Sequence, residues 1–283
     1  MTDDTPWHLK NYKKSLLSHS RLIPVAEEML MREQLESTRD TEHLHPSEIC
    51  KKDWCPRSSW YTIKGYERDD KPLSFQTLNI FAEGHAIHDK WQTWLTKAGV
   101  LEQVEVPIVN DEYLLMGHAD GIVNDAKGKA ILEIKSVGIG TVRVEHYDLW
   151  LRYSHKEITM DEVWKQIRQP FQTHLRQIML YMYCTGIHEG IFLYEWKATQ
   201  DVKEFFVKFQ PEQIESILSG CQTVVRGLDS GIPPMRPVWV ESPTSKTCKA
   251  CAYQKVCWKE VDDENSSTPS VGSVWSDNGG LPQ

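Results

Sequence analysis

Apolar and polar residues alternate between residues 100 and 137 in the manner of β-strands. The segments VLEQVEVPIV, EYLLMGHADGIV and KAILEIKSV alternate or run apolar, and NDAKGK between the last two predicts a hairpin turn. Before them, the spacing of apolar residues predicts a helix from about Ser74 to Ala98, which Gly99 ends. This part of the chain therefore predicts a helix followed by adjacent antiparallel strands.

Further helices and strands are predicted on both sides of this region. FQTHLRQIMLYMYCTG, after Pro170, has the period of a helix that ends at Gly186, and GIFLYEWK with VKEFFVKF predicts a second hairpin. A helix is expected from Pro211 to about Gly227, and IPVAEEMLMREQLES predicts an amphipathic helix near the N-terminus. Residues 141–170 have no clear pattern. We expect an α/β domain with a mixed central β-sheet flanked by helices.

Three charged residues stand on the strands where core residues are expected. Glu133 and Lys135 share one face of their strand, and twelve residues separate Asp120 from Glu133, so the hairpin can bring both carboxylates together. Two adjacent carboxylates repel unless a cation lies between them, and Mg²⁺ or Mn²⁺ suits such oxygen ligands. The alternative is an exposed edge hairpin whose Glu–Lys pair contributes little. These residues alone do not decide between the two.

Two helices carry polar pairs one turn apart. Gly84 and His88 share a face of the first helix, and Gln177 and Tyr181 share a face of the helix after Pro170. A single histidine or glutamine on a helix is more often a packing residue. Together with the strand carboxylates, however, these pairs predict a site that holds a metal ion.

The seven cysteines are unevenly spaced, which is not typical of a disulfide framework in a cytoplasmic protein. Cys248, Cys251 and Cys257 form a dense C-x2-C-x5-C triplet among lysines and aromatic residues, and Cys50 and Cys55 lie near the N-terminus. Soft thiolates at this spacing predict a structural metal centre, and spacing alone does not distinguish zinc from iron–sulfur.

Composition and charge restrict the function classes. Of 283 residues, 40% are hydrophobic and 25% are charged, as in an ordinary globular protein. No segment approaches the ~20 apolar residues of a membrane span, and MTDDTPWHLKNYKK lacks the apolar core of a secretory signal, so we expect a cytoplasmic protein without a membrane partner. Half of the net charge of −8 lies in the last 25 residues, so this charge is weak evidence against a nucleic-acid partner. No Gly-x4-Gly-Lys-Ser/Thr loop encodes a motor ATPase.

These motifs, in this order, resemble the RecB-like branch of the PD-(D/E)XK nucleases. The matching pattern is G-x-x-x-H, G-x-x-D, E-x-K and Q-x-x-x-Y over roughly residues 46–260. The resemblance implies a restriction-endonuclease-like core with an N-terminal helical region and a C-terminal cysteine segment. It also implies that the catalytic metal is held by His88, Asp120, Glu133 and the Ile134 carbonyl. Lys135 would be the catalytic lysine, with Gln177 and Tyr181 positioning DNA or supporting the site.

The cysteines extend the resemblance. PSEICKKDWCPRSSWY is similar to the Cys-Pro-Arg segment of the iron-sulfur-containing exonucleases of that branch, which include CRISPR-associated and phage proteins. The resemblance implies a [4Fe-4S] cluster, with zinc as the alternative, and its ligands would be Cys55, Cys248, Cys251 and Cys257. Cys50 is a rival to Cys55, although the Pro-Arg that follows favours Cys55.

The implied function is a Mg²⁺- or Mn²⁺-dependent exonuclease acting on single-stranded DNA or DNA ends, in phage or bacterial recombination, repair or replication. Two alternatives stay open: a trimming subunit with a recombination, replication or CRISPR-adaptation partner, and a non-catalytic DNA-binding scaffold. The expected organisation is an N-terminal helical extension over 1–46, a nuclease domain over 47–260 and a disordered tail over 261–283.

Overall fold

The computed structural model describes residues 20–36, 40–69 and 73–259. These divide into two compact units, one within residues 20–65 and 73–236 and the other made of 66–69 and 237–259. The predicted tail over 261–283 lies outside the described residues, and the expected domain boundaries stay predictions. None of the described helices is long and apolar enough to cross a membrane.

The described strands of the first unit form one five-stranded sheet in the order β1-β2-β3-β4-β5. β3 and β4 are parallel, whereas the other neighbouring pairs are antiparallel. This mixed sheet confirms the predicted α/β class and is consistent with a restriction-endonuclease-like core. The strands are β1 (Leu101–Asn110), β2 (Leu115–Asp125), β3 (Gly128–Val137), β4 (Glu189–Trp196) and β5 (Val202–Lys208).

Helices flank this sheet, and the predicted long ones are present. Residues 141–170, which have no clear sequence pattern, lie mostly in three short helices. The α-helices are α1 (Ile23–Glu36), α2 (Pro46–Ile49), α3 (Pro56–Ile63), α4 (Phe75–Lys97), α5 (Ile139–Glu145), α6 (Tyr147–Ser154), α7 (Met160–Gln166), α8 (Gln172–Thr185), α9 (Glu215–Ser230) and α10 (Lys246–Lys249). α10 belongs to the second unit and the others to the first.

Local signals explain where α4 begins and where α4 and α8 end. The Ser74 hydroxyl accepts a hydrogen bond from the Thr77 N–H over 3.2 Å and so caps the first turn of α4. Gly99 and Gly186 follow the two helices with φ values of +73° and +71°, a conformation that glycine adopts readily. The ends of the two helices that bear His88 and Gln177 are therefore encoded locally.

α4 and α8 pack on opposite faces of the sheet. Ile87 of α4 packs against Leu132 and Ile134 of β3 in one apolar cluster. Glu133 and Lys135 point to the other face, because side chains alternate along a strand. α8 covers that face and approaches β4 closely: a Cβ atom added at Gly190 would lie 2.7 Å from Ile178 Cδ1. β3 is thus covered on both faces near Glu133, which is buried beneath α8, and Lys135 is half-buried there.

Candidate catalytic site

The site lies where β2 and β3 stop pairing. Their ladder runs from Asp125–Gly128 to Gly121–Leu132, and Asp120 and Glu133 come one residue beyond it. The Asp120 Oδ2 atom accepts a hydrogen bond from the Ile134 N–H over 2.6 Å, so the carboxylate replaces the missing strand partner. The two carboxylates predicted to meet are therefore placed on adjacent strands at one point.

Both carboxylates are buried, and each lies beside a basic side chain. Asp120 is 8% exposed and Glu133 is 1% exposed. Lys135 Nζ lies 2.5 Å from Glu133 Oε2, and His88 Nδ1 on α4 lies 3.0 Å from Asp120 Oδ1. The Glu–Lys pair is consequently a buried ion pair rather than the exposed one that the alternative interpretation predicts.

α8 holds the lysine from the opposite side. Lys135 Nζ donates a hydrogen bond to Gln177 Oε1 over 3.2 Å, and Gln177 Nε2 donates to the Tyr181 hydroxyl over 2.7 Å. The one-turn spacing of Gln177 and Tyr181 allows this contact, because residues at i and i+4 share a helix face. The structure thus joins the E-x-K and Q-x-x-x-Y residues in one hydrogen-bonded chain.

Burial and charge shift the pKa values of the site in different directions. Burial raises the pKa of Glu133 to about 7, although the charge of Lys135 opposes that rise. Burial lowers the pKa of Lys135, but the negative charges of Glu133 and Asp120 raise it by more, so the pKa lies above its usual value. Burial likewise opposes the charged form of His88, and its hydrogen bond to Asp120 raises the pKa. Lys135 therefore stays positively charged beside the carboxylates.

The donor atoms suit a hard divalent cation. Asp120 and Glu133 offer carboxylate oxygens and His88 offers a ring nitrogen, which is a donor set that Mg²⁺ or Mn²⁺ accepts. Within residues 20–36, 40–69 and 73–259, no three His, Cys, Asp or Glu side chains are arranged as a metal-binding cluster. The same donors stand in ion pairs with Lys135 and with each other. The chemistry of the residues fits the metal, and its binding stays a prediction.

Two residues that the sequence does not identify stabilise the backbone at Asp120. Gln92 of α4 donates through Nε2 to the Asp120 carbonyl over 2.9 Å and to Glu105 Oε1 over 2.7 Å. Glu105 lies on β1 between Val104 and Val106, which pair with Gly121 and Ala119 of β2. Its φ of +50° is a left-handed conformation that a non-glycine residue rarely adopts. No signal in the sequence identifies this pair, because polar residues are common on the exposed faces of amphipathic helices and of alternating strands.

The two motif glycines differ in what surrounds them. A Cβ atom at Gly117 would lie 3.0 Å from Pro46 Cδ and 3.9 Å from Tyr181 Cε1. A Cβ atom at Gly84 would lie at an ordinary 3.6 Å from Ser136 Oγ. Gly117 therefore permits the close approach of the α2 segment to β2, whereas the space at Gly84 admits a methyl group.

Replacing Gly117 by Ala is expected to destabilise the protein by ~1–3 kcal/mol, because it overpacks the contact with Pro46. Gly84→Ala should instead stabilise it by ~0.5–1 kcal/mol, since alanine favours the helix. Urea unfolding of both variants beside the wild type measures the difference. Equal stability of the two variants would contradict the packing described here.

The cysteine triplet lies in the second unit. Cys248 is buried and Cys251 and Cys257 are half-buried. The Tyr253 N–H lies 3.4 Å from Cys251 Sγ. Burial raises the pKa of Cys251, and the neighbouring thiols of Cys257 and Cys248 raise it further. The three thiols are therefore close enough to influence one another, but among the described residues they are not arranged as a metal-binding cluster. A zinc or iron–sulfur centre stays a prediction from the soft donor set.

The two N-terminal cysteines lie in the first unit and have different environments. Cys55 is the residue directly before α3 and is half-buried. Cys50 is 0% exposed. Burial raises the pKa of its thiol, and the charges of Arg176, Lys135 and Glu133 act on it. Cys50 thus belongs to the surroundings of the candidate catalytic site.

Comparison with known proteins gives only distant matches. No protein-family model and no curated protein matches the chain. A solved structure, that of SSO0001, overlaps with a TM-score of 0.47 and 15% identity over 84% of this chain and 96% of that one. The alkaline exonuclease LHK-Exo from Laribacter hongkongensis gives 0.43 and 10%, and its complex with dAMP gives 0.43 and 12%, each over 67% of this chain and 89% of that one. Matches at this level do not establish what the chain does.

Proposed function

We propose that the chain is a Mg²⁺- or Mn²⁺-dependent nuclease that hydrolyses phosphodiester bonds at DNA ends. The observation that carries the proposal is the buried arrangement of Asp120, Glu133 and Lys135, with His88 and Gln177 in contact with it. The pattern of motifs, rather than the distant structural overlap, supports DNA as the substrate and an end as the point of attack.

Each residue has a role that its contacts support. Asp120, Glu133 and His88 would hold the divalent cation, which supplies charge stabilisation at the phosphate and a more acidic bound water. Lys135 stays protonated beside Glu133 and can donate to a phosphate oxygen as negative charge grows there. Gln177 orients the Lys135 ammonium, and Tyr181 orients Gln177. Gln92 and Glu105 fix the backbone at Asp120.

The proposal is tested with linear single-stranded and duplex DNA labelled at one end or the other. Protein purified without oxygen is incubated with Mg²⁺, Mn²⁺ or EDTA, beside Glu133→Gln as the control. Progressive shortening that requires the metal and is absent in the variant would support the proposal and reveal the cleavage polarity. Intact DNA with a folded, metal-loaded protein would refute the nuclease proposal and leave the scaffold alternative.

We also propose that Cys248, Cys251 and Cys257 bind a structural [4Fe-4S] cluster, or zinc as the alternative, with Cys55 as the fourth ligand. The proximity of the three thiols in the second unit supports the first part, and the resemblance alone supports Cys55 over Cys50. Within the second unit, the Asp69 N–H donates to the Ala252 carbonyl over 2.9 Å, next to the cysteine triplet. Such a centre would therefore stabilise that unit.

Cys251→Ser is expected to lose most of the bound metal and to lower the stability of the protein, because one thiolate ligand is removed. Iron, sulfide and zinc analysis with the absorption spectrum identifies the metal in the wild type and measures its loss. Cys184→Ser is the matched control, since Cys184 is a half-buried thiol on α8. Full metal content in Cys251→Ser would contradict the assignment. The metal content of Cys55→Ser and of Cys50→Ser identifies the fourth ligand, because only the variant that lacks a ligand loses metal.

A further inference from the structure

Arg176 is a cation whose hydrogen-bonding capacity is unused within the described part of the chain. Its side chain is half-buried on α8, directly before Gln177. The Nε atom is inaccessible to solvent and has no hydrogen-bond partner. No carboxylate among the described residues forms an ion pair with this guanidinium. Leaving an inaccessible N–H of a charged side chain without a partner is unfavourable, so the arrangement suits a residue that meets an anion from outside the chain.

Arg176 and Lys135 lie in the same region of the first unit. Its neighbour Gln177 accepts a hydrogen bond from Lys135. Burial raises the pKa of the Cys50 thiol, whereas the charges of Arg176 and Lys135 both lower it, so both cations lie near that one buried group. Cys50 ends α2, which packs against α8. Arg176 therefore stands at the edge of the candidate site, on the side of α2.

The charges around the site are consistent with an anionic ligand at this edge. Burial and the charge of Lys135 lower the pKa of His174 well below its usual range, so this neighbouring imidazole is neutral. Once a divalent cation takes up the charge of Asp120 and Glu133, Lys135 and Arg176 are left as two positive groups. Two cations that act on the same buried thiol match the repeated negative charges of a nucleic-acid backbone.

We propose that Arg176 binds a backbone phosphate of the DNA strand that enters the site, next to the phosphate that is cleaved. The choice of DNA as the ligand rests on the proposed function. The planar guanidinium can donate two parallel hydrogen bonds to phosphate oxygens, which fixes the strand in position. Arg176 is then a substrate-binding residue, whereas Lys135 acts at the reacting phosphate.

The test measures DNA binding rather than cleavage. The full chain and its Arg176→Gln variant bind a labelled single-stranded oligonucleotide with Ca²⁺ in place of Mg²⁺, and the dissociation constant is followed by fluorescence anisotropy at several salt concentrations. Arg176→Gln is expected to weaken binding about tenfold and to reduce the salt slope by ~0.7, the contribution of one phosphate contact on a single strand. Arg226→Gln is the control for net charge, because Arg226 is exposed on α9.

The outcomes separate this inference from the proposed function. Equal affinity and equal salt slope in Arg176→Gln and Arg226→Gln would overturn it, as would a wild-type chain that does not bind DNA. A wild-type chain that binds DNA through Arg176 but never cleaves it would refute the nuclease proposal alone. Should Arg176→Gln not fold, Arg176→Lys decides: weaker binding with an unchanged slope supports the phosphate contact, and unchanged affinity overturns it.

Discussion

Replacing Lys135 by Met is expected to slow DNA cleavage by at least ~10²–10³-fold, the usual effect of removing one group that stabilises transition-state charge. Methionine keeps the length and apolar stem of the side chain but donates nothing to the phosphate. The fold should survive, because burial already raises the pKa of Glu133 to about 7 and its carboxyl can take up a proton when the lysine is gone. The cleavage rate at saturating DNA and thermal unfolding of both proteins measure the two effects.

Lys129→Met is the matched control for that experiment. Lys129 also lies on β3 and forms an ion pair with Glu102 over 2.7 Å, but its side chain is 52% exposed. An exposed pair contributes little to stability, and Lys129 has no contact with Asp120 or Glu133. A Lys135→Met variant that cleaves as fast as Lys129→Met would show that the catalytic lysine is wrongly assigned.

The strands and long helices were predictable because their signals are local. Alternation within β2 and β3, the serine cap of α4 and the glycine that ends α8 each depend on a few neighbouring residues. The short helices within residues 141–170 were not predictable. Trp164, for example, stacks on Trp196 with ring centroids 5.4 Å apart, a contact between residues far apart in the chain. Tertiary packing of this kind leaves no periodic pattern.

The candidate site was predictable in part for the same reason. Asp120, Glu133 and Lys135 can be identified from the sequence because their charges interrupt apolar strands. The structure brings them together with His88 and Gln177. The hydrogen bond from Gln92 to the Asp120 carbonyl could not be predicted from the sequence, because it depends on how α4 packs on the sheet. A sequence shows which side chains break a pattern, but not which ordinary polar residues hold them in place.

An ion pair between a half-buried lysine and a buried carboxylate fixes α4, and thereby His88, against the sheet. Lys90 Nζ lies 2.6 Å from each carboxylate oxygen of Glu195 on β4, and Trp91 Nε1 donates to Glu195 Oε2 over 2.6 Å. The Glu195 side chain is only 3% exposed. Lys90 follows His88 by two residues, so the pair sets where the imidazole meets Asp120.

Lys90→Met is therefore expected to lower the free energy of unfolding by ~3–5 kcal/mol, because it leaves a buried carboxylate without its cation. Lys197→Met should lower the free energy of unfolding by less than ~1 kcal/mol. Lys197, which follows β4, pairs over 3.1 Å with Glu83 of α4, and the Glu83 side chain is half-exposed. Adding Glu195→Gln to Lys90→Met should restore most of the loss, as no unpaired charge then remains. Urea unfolding of the four proteins measures these differences. A Lys90→Met variant as stable as Lys197→Met would mean that the pair does not hold α4 in place, and the position of His88 would need another explanation.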